Sequence, residues 1–74
     1  MEIDEKKIDG AILVLMYLTL HDEGRAWKGF DFEAMNRLHK KGFIADPVNK
    51  NKSVLLTEKG LVESKRLFEL LFAK

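Results

Sequence analysis

The chain has 74 residues, 46% of them hydrophobic and 34% charged, with a net charge of +1 and no cysteine. That length allows one small domain over residues 1–74, too apolar for a disordered chain and too broken by charge for a membrane protein. Disulfides and thiolate metal sites are excluded. The longest apolar run, Ala11 to Leu18, is too short to span a bilayer, and the acidic start Glu2, Asp4, Glu5 is unlike a signal peptide, so a cytoplasmic location is the expectation.

The first helix is expected to begin at Asp4 as N-cap, with Glu5 in the first turn and a hydrophobic staple of Ile3 and Ile8. Ile8, Ala11, Ile12, Leu15 and Leu18 share one face, and Leu13, Tyr17 and Leu20 another. A helix that is apolar nearly all round is buried on more than one side. A chain this short buries only about 60% of its unfolded surface, so a second copy is expected to supply the missing cover. The helix ends around His21, with His21 near its terminal carbonyls. Asp22-Glu23-Gly24 is loop chemistry. Gly24 to Gly29 shows no sustained period and has room for one helical turn.

The middle helix is expected from Asp31 as N-cap, with Phe30 and Met35 as its staple, to a Gly42 stop in the left-handed conformation. Phe43 then touches Leu38. Phe43-Ile44-Ala45 and Ser53-Val54-Leu55-Leu56 read as two short strands around an exposed tip, Asp46 to Lys52, built of proline, asparagine and lysine. Thr57 caps a last helix stapled by Leu56 and Leu61. Its apolar face is Leu61, Phe68, Leu71 and Phe72, widened by Leu67, with Val62 and Leu70 lying outside it. The fold class is α+β, mainly α: three main helices and a two-stranded β-hairpin.

Charge is unevenly placed. Residues 1–24 carry two lysines against six acids, residues 25–53 seven basic residues against three acids, and residues 54–74 four against three. A basic middle is the footprint of an acidic partner such as nucleic acid, or an ordinary solvated face.

The order helix, short segment, helix, strand, basic hairpin, strand, helix resembles a winged helix-turn-helix domain of small bacterial transcription regulators. The resemblance is carried by Leu38-His39-Lys40-Lys41-Gly42-Phe43-Ile44 and Leu56-Thr57-Glu58-Lys59-Gly60, matching Leu-x-x-x-Gly-x-Ile and Leu-Thr-x-x-Gly, and covers residues 31–72. It implies a winged-helix-like domain. Only about ten residues precede the recognition helix, so the first helix of the helix-turn-helix is short or degenerate. The whole chain is also similar to an uncharacterised family of small bacterial domains carrying His-Asp-x-x-Arg-Ala-Trp-Lys-Gly, here His21 to Gly29, which implies this fold and dimerisation but no activity.

Two functions follow. In the first, a small dimeric regulator binds double-stranded DNA: Asn36 and Arg37 read base edges, and Lys40, Lys41, Lys50 and Lys52 contact phosphates. Asp31 and Glu33, at the end of the helix that usually meets bases, oppose it. In the second, the fold is a protein-interaction module and Arg25, Trp27 and Lys28 form the contact. Trp27 either plugs the core or stands exposed to stack on a base or anchor a peptide. Dimerisation runs through the first and last helices in both. With two histidines, no compact ligand set, no nucleophile beside a base and no phosphate loop, neither metal, cofactor nor catalysis is expected.

Overall fold

Asp4 opens the first helix as its side chain dictates. In the computed structural model, which describes all 74 residues, its carboxylate accepts from the backbone N–H groups of Lys6 and Lys7 at 3.0 and 3.2 Å, donors that a first turn leaves without partners. Helix α1 runs Glu5–Leu18. Asp22, Glu23 and Gly24 then all take positive φ, at 45°, 61° and 108°. That reversal lets His21 and Arg25 exchange two backbone hydrogen bonds of 2.8 Å, and the chain leaves directly as a strand.

Strand β1 (Arg25–Trp27) pairs antiparallel with β2 (Ser53–Leu55), placing Arg25 opposite Leu55, Ala26 opposite Val54 and Trp27 opposite Ser53. Strand alternation sends Ala26 and Val54 into the core and leaves Arg25, Trp27, Ser53 and Leu55 on the outer face. The strand partner differs from the sequence expectation. The segment 43–45 contributes one bridge, Ile44 to Leu56, and one hydrogen bond from Ala45 N–H to the Leu55 carbonyl at 2.9 Å. The ladder stops there because Pro47 has no N–H and is itself buried. The segment 24–29, which had room for a helical turn, supplies the longer pairing instead.

Helix α2 (Phe32–Lys40) begins at Asp31, which accepts from Ala34 N–H at 3.1 Å. No helix lies between β1 and α2. The fold is thus α+β, mainly helical, with three helices and one two-stranded antiparallel pairing, an arrangement compatible with a winged helix that lacks the first helix of its helix-turn-helix.

The two sequence motifs dock on each other. Gly42 takes φ 81°; its N–H donates to the His39 carbonyl and Phe43 N–H to the Leu38 carbonyl, both at 3.0 Å, which completes a Schellman ending. Thr57, the N-cap of α3 (Glu58–Phe72), accepts from Gly60 N–H and donates its hydroxyl to the Gly42 carbonyl, while its own N–H donates to the Phe43 carbonyl. Gly60 presses so closely on Phe43 that a methyl group there would fall 1.9 Å from the Phe43 carbonyl oxygen. Lys59 Nζ caps the Lys41 carbonyl at 2.9 Å and lies over the Phe43 ring.

The core is Leu13, Met16, Leu38, Ile44, Val54 and their neighbours. Only 15 of the 74 residues are buried, because the molecule is a slab 18 Å through its thin direction. Of the two α1 faces, Leu13 and Leu20 pack inward, with Tyr17 half-buried against Phe68. Ile8, Ala11, Leu15 and Leu18 stay on the surface, leaving Ile12 as the buried member of their set. The staple of Ile3 and Ile8 is therefore not buried. On α3, Val62, Leu70, Leu71 and Phe72 are exposed.

Candidate nucleic-acid interface

Asp9 sits on the inward stripe of α1 with Leu13, Met16 and Leu20, and is 2% exposed. A carboxylate there requires cations. Arg37 supplies Nε at 2.9 and 3.1 Å and Nη2 at 2.8 Å, and Lys41 supplies Nζ at 3.1 Å. The remaining Arg37 nitrogen, Nη1, reaches Glu5 at 2.8 Å. Burial pushes the Asp9 carboxyl up, but the hydrogen bonds and charges of Arg37 and Lys41 outweigh it and hold the group below its ordinary value. The Asp9 hydrogen bonds in turn raise the Arg37 guanidinium. Two of the six residues expected at DNA thus pair with a buried acid, clamping α2 on α1. Asn36 is half-buried on α2 and Lys40 exposed at its end.

The outer face of the sheet gathers the others. Arg25 Nε donates to Ser53 Oγ at 2.7 Å and Nη2 to the Ser53 carbonyl at 3.0 Å, so its guanidinium is fixed across the strands rather than paired with a carboxylate. Lys28 reaches over the 46–52 loop: its Nζ donates to the Pro47 carbonyl at 2.7 Å, the Asn49 carbonyl at 3.1 Å and Asn49 Oδ1 at 2.8 Å. Those three acceptors match the three ammonium protons. Lys28 therefore orders the loop that carries Lys50 and Lys52, both exposed. Trp27 is 50% exposed. Ala26 takes the inward position, so the tryptophan is not the core plug that its size allowed. Its indole rests on Gly29, where a methyl group would meet Nε1 at 2.4 Å.

A cleft of about 460 Å³ joins His21, Arg25, Trp27, Asn51, Lys52 and Ser53, with no carboxylate among its lining residues. Arg25 and Trp27 of the strand and Lys52 of the 46–52 loop, separate in the sequence, thus meet on one surface. Asn36, Arg37, Lys40 and Lys41 lie apart from it on α2 and its cap. Sequence reasoning missed Asp9, Glu5, Ser53 and Asn49. Asp9 had a signal: it is the one acid at the 4-3-4 spacing of Leu13, Met16 and Leu20. Ser53 and Asn49 had none, since their roles depend on a strand pairing across 28 residues and a loop closed by a distant lysine.

Residues 4–74 match a family described as Domain of unknown function (DUF6429). The chain belongs to that family. It is also 58% identical over 74 residues to Uncharacterized protein y4hR of Sinorhizobium fredii (strain NBRC 101917 / NGR234), covering 100% of both chains. No solved structure matches the chain. The family description assigns no activity, so the chemistry of the site rests on this geometry. No group of three or more His, Asp and Glu side chains is placed to hold a metal ion, and no helix is long and apolar enough to cross a membrane.

Proposed function

We propose that this member of the family is a small dimeric DNA-binding protein of winged-helix-like build, without a catalytic step, that meets duplex DNA through its wing and the outer face of its sheet. The observation that carries this reading is the convergence of Arg25, Trp27 and Lys52 around one cleft free of carboxylates, with Lys50 on the adjoining loop. Lysines on a loop tip suit phosphates, which ask for charge and reach rather than fixed geometry. On α2, Lys40 adds a phosphate contact and Asn36 is the remaining base reader. Arg37 and Lys41 act by holding the helix in place.

The dimer is supported by apolar surface that one copy leaves open. Ile8, Ala11, Leu15 and Leu18 follow a 3-4-3 spacing on the exposed side of α1, the stripe of a helix–helix seam. Ala11 and Leu71 border the same groove between α1 and α3, so the stripe continues onto the last helix. The occupant is a second copy, which presents the same stripe by two-fold symmetry. Electrophoretic retardation of duplex DNA at low salt tests the proposal. Binding by the natural chain and its loss in Lys50→Glu/Lys52→Glu are expected. Absence of any retarded complex overturns it. The exposure of Trp27 also favours a second reading, a protein-interaction module with the same outer face as anchor; for that module no duplex is retarded.

A further inference from the structure

We propose that the cleft around Trp27 takes an unpaired base of a nucleic-acid strand, stacked on the indole, with the adjoining phosphate on Arg25 and Lys52. This rests on the nucleic-acid reading above and adds to it a preference for single-stranded or locally opened DNA.

Three features of the cleft point to that ligand. The first is the aromatic itself. Trp27 lies on the outer side of a strand, half open to solvent, with a ring edge packed on Gly29. A side chain at residue 29 would displace the ring, so the glycine sets where the platform stands. Every base offers a π-face, and stacking on an aromatic side chain binds strands with little regard to sequence. A base inside a duplex has no face to offer. The second feature is the fixed cation. Arg25 is two residues from Trp27, hence on the same face. Its Nε and one Nη2 proton are held by Ser53, which leaves Nη1 and the second Nη2 proton to donate. A guanidinium pinned beside a stacking surface meets a phosphate without losing further side-chain freedom. The third is charge. Arg25 and Lys52 line the cleft, and Asp22 and Glu23, in the adjacent turn, are not among its lining residues. The cleft suits an anion carrying a flat ring, which is what a nucleotide within a strand is.

An acidic peptide would satisfy the charge but not the demand for a flat π-face, so it serves as the contrasting probe. Trp27 is the only tryptophan, and its fluorescence reports on this cleft alone. Titration of the whole chain with a short oligothymidylate is expected to quench that emission saturably, while poly-glutamate at equal charge leaves it unchanged. Binding of a dye-labelled oligothymidylate, read by anisotropy, is expected to weaken roughly five- to hundredfold in Trp27→Ala, the range for losing one stacked base. Trp27→Phe, which keeps a ring, recovers part of it. Circular dichroism checks that both variants stay folded, as a half-exposed side chain allows. An unquenched tryptophan, equal quenching by poly-glutamate, or unchanged oligothymidylate affinity in Trp27→Ala each overturns the stacking site. If duplex retardation persists in those cases, the DNA-binding reading survives without it. If neither duplex nor single strand binds, both fall.

Discussion

Asp9 decides how the basic residues of this protein are to be read. Counted along the chain, Arg37 and Lys41 belong to a positive middle; in space they neutralise a buried acid. The natural test is a double-mutant cycle. Asp9→Asn is expected to lower stability by about 1–3 kcal/mol, the usual cost of leaving buried partners unmatched, as read from the urea midpoint. Arg37→Ala moves it in the same direction. Asp9→Asn/Arg37→Ala costs less than the two combined, because the second change removes an interaction already lost. The pH dependence has a fixed sign. The Asp9 carboxyl is held below its ordinary value of 3.8, so its contribution is complete above that value. It is lost as the pH falls through the lower value of the folded state. Asp9→Asn is therefore expected to flatten the acid limb of the midpoint-against-pH curve. Glu63, held low by its hydrogen bonds from Arg66 at the surface, leaves a smaller residual slope.

At the scale of elements, two glycines do different work. Gly42 has open space around its Cα but a φ of 81°. Gly60 has helical backbone but the Phe43 carbonyl in the way of any side chain. Gly42→Ala is expected to cost about 1–2 kcal/mol, the penalty of a left-handed alanine. Gly60→Ala is expected to cost about 3 kcal/mol or more, because α3 must lift off the backbone that Thr57 fastens it to. Thermal denaturation of the two variants checks the order. The same elements show what the sequence made legible. Asp4, Asp31 and Thr57 were readable as caps because capping is local: each accepts from a backbone N–H two or three residues on. Gly42 was readable for the same reason. β1 was not, because Arg-Ala-Trp has one polar, one small and one aromatic residue, and only its pairing with Ser53–Leu55 makes it a strand. The candidate site shared that fate. Arg25, Trp27 and Lys52 were singled out from the chain, but their meeting in one cleft depends on that pairing.

For the whole molecule, the size limit seen at the outset takes a physical form. A slab 18 Å thick with 15 buried residues leaves α1 with an apolar stripe facing solvent. Leu15→Glu/Leu18→Glu is expected to convert the proposed dimer into a folded monomer, as measured by sedimentation equilibrium with circular dichroism as the check on folding. Both side chains are already exposed in one copy, so their replacement leaves the core intact. If the lysines of the 46–52 loop hold duplex DNA, the binding must depend on salt. A plot of log binding constant against log salt is expected to fall steeply for the natural chain, by about 0.9 for each phosphate contacted. In Lys50→Gln/Lys52→Gln its slope is expected to be shallower by about two. A slope unchanged by those substitutions, or binding indifferent to salt, would contradict the account.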